Sequence, residues 1–131
     1  MPVLVRLCLS SVLVLIAVPL AAQESASHAS PRGLMLEHRA MLRCSAAFAL
    51  VAAEQQRAPG GMTAYPPLSG RGREYFVRAV AQVMDDTGLP RQEVVAELER
   101  EARDLSAAGR LEQVMPACLL ALEASETGEA P

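Results

Sequence analysis

Lysine, asparagine and tryptophan are absent from this 131-residue chain, and aromatic residues make up only 3% of it. Without lysine there is no Schiff-base amine, no Ser–Lys pair and no phosphate-loop lysine. Few stacking surfaces and a formal net charge of −3 argue against broad nucleic-acid binding. Sheet-filling aromatic and β-branched residues are scarce, which disfavours a β fold. Also missing are a Gly-x-Ser-x-Gly elbow, a His-Glu-x-x-His zinc motif, a dinucleotide fingerprint and any Cys-x-x-Cys pair. The length leaves room for one ordinary domain.

What the chain does have is 23 Ala and 12 Arg, both good helix formers. An all-helical protein is the expectation. Residues 1–22 place one charge, Arg6, before the apolar run Leu7 to Val18, then Pro19 and the small pair Ala21-Ala22. That order reads as a signal peptide cut after Ala22, and the run is short for a membrane span. The expected product begins at Gln23 and is periplasmic or secreted, with membrane contact only through the signal peptide before cleavage.

Cys44 and Cys118 then remain, 74 positions apart. Two cysteines in an exported chain favour one disulfide over two buried thiols. In the chain-entropy account, closing such a loop stabilises by about 4 kcal/mol. A zinc site using both cysteines with His28 and His38 matches no ligand spacing. His38 reads as a polar residue at the rim of a helix stripe. No metal and no cofactor is expected.

Residues 23–30 (QESASHAS) are polar and aperiodic, and are expected to be disordered. Ser30-Pro31 is a helix-start signal. From there to about Arg57, Leu34, Met41, Cys44, Phe48 and Val51 form one apolar stripe. Residues 58–73, with paired glycines and prolines, read as a loop pinned by Tyr65 and Leu68. A second helix is predicted from Arg71 or Gly72 to Asp86, with Phe76, Val80, Val83 and Met84 inward and Gly88 as its stop. Pro90 opens a third, to about Ala107, with Val94 or Val95, Leu98, Ala102 and Leu105 inward. Its acids and arginines between Glu97 and Asp104 read as a solvated face, with Glu99–Arg103 and Arg100–Asp104 pairs. A fourth helix is predicted over Leu111 to Ala124, with Leu111, Met115, Cys118 and Leu122 inward and Pro116 opening or kinking it. Residues 125–131 read as a disordered acidic tail. The expected domain, 31–124, is a small four-helix antiparallel bundle with one disulfide.

One motif stands out. Gly70-Arg71-Gly72-Arg73 puts two cations at a helix start, where backbone N–H groups attract anions. Arg71 and Arg73 are therefore candidate contacts for an anionic or protein partner. The competing reading pairs them with the acidic face of the third helix.

The segments Arg43-Cys44, Glu54-Gln55, Tyr65-Pro66-Pro67-Leu68, Arg71-Gly72-Arg73-Glu74-Tyr75-Phe76 and Met84-Asp85-Asp86-Thr87-Gly88-Leu89 resemble small exported helical proteins of Gram-negative bacteria. That resemblance implies export and helical structure but no activity and no catalytic residue. In size and cysteine count the chain is also similar to periplasmic acid-stress chaperones. The leading expectation is a non-enzymatic interaction or accessory protein. The alternatives are a disulfide-stapled holdase and an enzyme with a carboxylate site that no motif marks.

Overall fold

A computed structural model describes residues 33–58 and 60–128. The signal peptide, the 23–30 lead-in, Ser30-Pro31 and the last three residues of the tail lie outside the described residues. Four helices follow in order: α1 (Leu36–Arg57), α2 (Arg71–Thr87), α3 (Arg91–Leu105) and α4 (Arg110–Thr127). They form an all-α bundle in which α1 packs against each of the other three.

The directions of α1 and α2 follow from their side-chain contacts. His38 near the start of α1 meets Asp86 at the end of α2. Gln55, near the end of α1, holds the loop that leads into α2. Its Nε2 donates to Pro66 O at 3.0 Å, and its Oε1 accepts the Leu68 N–H at 3.1 Å. The two helices are therefore antiparallel. Leu68 is fully buried and Tyr65 packs against the core, as expected for residues that pin this loop.

Two apolar clusters fill the bundle. The larger joins Cys44, Phe48 and Val51 of α1 to Leu68, Tyr75, Leu105, Met115, Cys118 and Leu122. Phe48 and Tyr75 meet edge to face, with ring centroids 5.2 Å apart. The smaller cluster joins Leu42, Val83, Val94 and Leu98. Cys44 and Cys118 are bonded, with Cα atoms 5.1 Å apart, within the usual disulfide range. The bridge ties the middle of α1 to the middle of α4.

Several boundaries differ from expectation. Residues 33–35 are not helical, so α1 starts at Leu36 and not at Ser30-Pro31. The inward line of α2 is Tyr75, Ala79 and Val83, while Phe76, Val80 and Met84 are half-buried. α3 stops at Leu105, short of Ala107, because Gly109 in the left-handed region (φ 75°) starts α4. Pro116 lies inside α4 on its exposed side and does not open it. The tail read as disordered from Ser125 is helical to Thr127, because two arginines of α2 hold that last turn.

The acidic face of α3 is the largest departure. Glu97 is buried, not solvated, and pairs with Arg100. Glu101 and Asp104 turn inward to Arg43 of α1, at 2.6 and 2.9 Å. Of the two pairs expected along α3, Glu99–Arg103 forms at 3.8 Å, whereas Asp104 is taken by Arg43 and Arg110.

Candidate functional site

The Gly70–Arg73 motif lies at the start of α2, where its four residues do four different things. Gly70 precedes the helix, and its carbonyl accepts the Glu74 N–H at 3.0 Å. Arg71 forks onto Glu126 of α4, its Nε and Nη2 each donating at 2.6 Å. These hydrogen bonds raise the Arg71 pKa and hold the Glu126 carboxyl below its ordinary value. Arg78 adds a bond from Nη1 to Ser125 O at 2.9 Å. Cations there suit the carbonyl end of α4. Arg71 therefore meets an internal carboxylate, though on α4 and not on α3.

Gly72 is buried for packing. A Cβ at this position would lie 3.0 Å from Phe48 Cβ and 3.3 Å from Leu68 Cβ. Its N–H is also used, donating to Leu68 O at 3.0 Å. The glycine lets α2 approach α1 closely; it does not leave an amide open to an anion.

Arg73 behaves differently. It is exposed and forms no ion pair among the described residues. Its side chain borders a groove of about 340 Å³ between α1 and α2. Phe48, Ala49, Ala52, Ala53 and Phe76 supply the apolar walls, with Gln56 and Ser69 as polar neighbours. Arg73 is the one charged residue of that lining. Small side chains at 49, 52 and 53 keep the wall of α1 low, and Gly72 leaves no side chain in the way.

Sequence reasoning missed three polar features. Arg43 is the first, because its partners lie about sixty positions further along the chain. Burial works against its charge, but the hydrogen bonds it donates to Asp104 and Glu101 outweigh that and raise its pKa. Asp104, bonded to Arg110 and Arg43, is held below its ordinary value. Gln55 is the second, as the clamp of the α1–α2 loop. His38 is the third: it is buried, not at a rim. No cluster of three or more metal-ligating side chains occurs among the described residues, and Cys44 and Cys118 are used in the disulfide.

Comparison with known proteins returned no match: no family model, no curated protein sequence and no solved structure matches the chain. The class is therefore set by the molecule's own features. It is a disulfide-stapled four-helix bundle with a small apolar groove and, at its rim, one arginine that forms no ion pair among the described residues. No described helix is long and apolar enough to cross a membrane.

Proposed function

We propose that this is an exported, non-enzymatic interaction protein of the periplasm or extracellular space. Its α1–α2 groove receives a partner-protein segment that carries a bulky apolar side chain beside a carboxylate. The observation that carries this reading is Arg73, without an ion pair among the described residues at the rim of an otherwise uncharged groove. A volume near 340 Å³ is at the low end for ligand sites, enough for one or two side chains. In such a site apolar burial supplies most of the affinity, and the rim cation sets orientation and partner choice.

Export is supported by Arg6, the Leu7–Val18 run and Ala21-Ala22, together with a disulfide suited to an oxidising compartment. The two carboxylates whose pKa is displaced, Asp104 and Glu126, are held ionised by arginines of the same chain, as in structural ion pairs.

Selection from a displayed library of random short peptides tests the reading. Enriched peptides should place Leu, Ile or Phe next to Asp or Glu. Arg73→Glu should weaken them about tenfold or more, and Ala53→Arg should block them by filling the groove. Basic enriched peptides, or affinity unchanged by Arg73→Glu, would overturn the proposal. Enrichment of apolar peptides with no acidic preference would replace it with the holdase reading.

A further inference from the structure

His38 is the one histidine among the described residues, and it is only 3% exposed in the first turn of α1. Its Nδ1 accepts the backbone N–H of Met35 at 3.2 Å, which caps the helix start. A ring nitrogen that accepts a hydrogen bond carries no proton, so the neutral ring holds its proton on Nε2. That nitrogen faces Asp86 Oδ2 from the last turn of α2 at 3.5 Å. Glu37 Oε1 of the same helix lies 3.9 Å away. Among the described residues α3 and α4 place no carboxylate within 4.0 Å of the ring.

We infer that His38 is a proton-operated clasp at the start of α1. The neutral ring holds Met35; the protonated ring releases Met35 and is held by Asp86 and Glu37. A second proton must enter at Nδ1, which turns an acceptor facing a donor into two opposed donors. The new cation meanwhile gains two nearby carboxylates. Acid therefore tightens the contact between α1 and α2 while it undoes the cap. The segment set free is apolar. Leu34 packs against the smaller core cluster, and Met35 and Leu36 are already 55% and 85% exposed. The clasp thus controls how much apolar surface the bundle shows next to α1, at a place separate from the α1–α2 groove.

Amide NMR over a pH series, on the protein as isolated from cells, tests this. Protection of the Met35 amide should fall about tenfold on the acid side, the scale of one lost cap. Its shift should inflect together with the His38 ring. His38→Gln keeps an acceptor at the same helix position but cannot titrate, so the inflection should vanish. A Met35 amide that stays flat while the His38 ring titrates would overturn the inference, and the unsubstituted protein alone gives that result. An inflection that persists in His38→Gln would overturn it equally.

Discussion

Replacing Cys118 with Ser removes the one covalent link between α1 and α4, and its cost follows from two observations. The bridged cysteines are 74 positions apart, so the chain-entropy account gives about 4 kcal/mol for the lost constraint. Cys118 is 2% exposed beside Met115 and Leu122, so a serine hydroxyl there would sit in an apolar core. An unsatisfied buried hydroxyl costs a further ~1–3 kcal/mol. The expected loss is about 5–7 kcal/mol, comparable to the whole stability of many small domains. Changing both cysteines to Ala separates the two contributions, since it removes the bridge and introduces no hydroxyl. That variant should lose about 4 kcal/mol, roughly 15–30 °C in Tm for a domain of this size. Urea denaturation followed by circular dichroism reads both values. A loss below about 1 kcal/mol in the double variant would refute the reasoning, as would free alkylation of both cysteines in the native protein.

Three further outcomes are expected. Asp104 and Glu126 have folded pKa values below their unfolded ones, so they stabilise above the unfolded value, and that stability is lost as pH falls through the folded value. The urea midpoint should therefore decline below the ordinary carboxylate range, less steeply in Asp104→Asn and Glu126→Gln. Gly72→Ala should destabilise by about 1 kcal/mol, because crowding costs ~1–3 kcal/mol and outweighs a helix-propensity gain of ~1 kcal/mol. The contacted atoms, Phe48 Cβ and Leu68 Cβ, are fixed to backbone and cannot swing aside, and thermal melting reads the net effect. Arg71→Gln should loosen the last turn of α4, seen as lost amide protection at Glu126 and Thr127, while Arg73→Gln leaves that turn unchanged.

The helices and the disulfide were legible because both depend on periodicity. Cys44 recurs with Met41 and Phe48, and Cys118 with Met115 and Leu122, so each stripe carried its cysteine inward. The turn at Gly88 was legible because its φ of 71° suits glycine. The polar interior was not. Glu97, Glu101 and Asp104 read as solvated because helical spacing reports only neighbours on the same cylinder. The partner that draws Glu101 and Asp104 inward, Arg43, comes from another helix. His38 was misread for the same reason, since Asp86 lies far from it in sequence. The arginine motif was half legible. Spacing placed Arg71 and Arg73 at the start of α2, but nothing in it distinguished the one committed to Glu126 from the one left at the groove. Gly72 was noticed for its backbone, yet its role is to let Phe48 approach.

The groove reading stands or falls on the charge of Arg73, and a double charge reversal tests it most directly. A selected peptide with a Glu beside its apolar anchor is titrated against the unsubstituted protein and against Arg73→Glu, with the Lys version of the peptide as the other arm. The account predicts that Arg73→Glu weakens the Glu peptide by about tenfold or more and that the Lys peptide recovers most of that loss on the variant. Equal binding of the Glu peptide to both proteins, or no recovery with the Lys peptide, would contradict it.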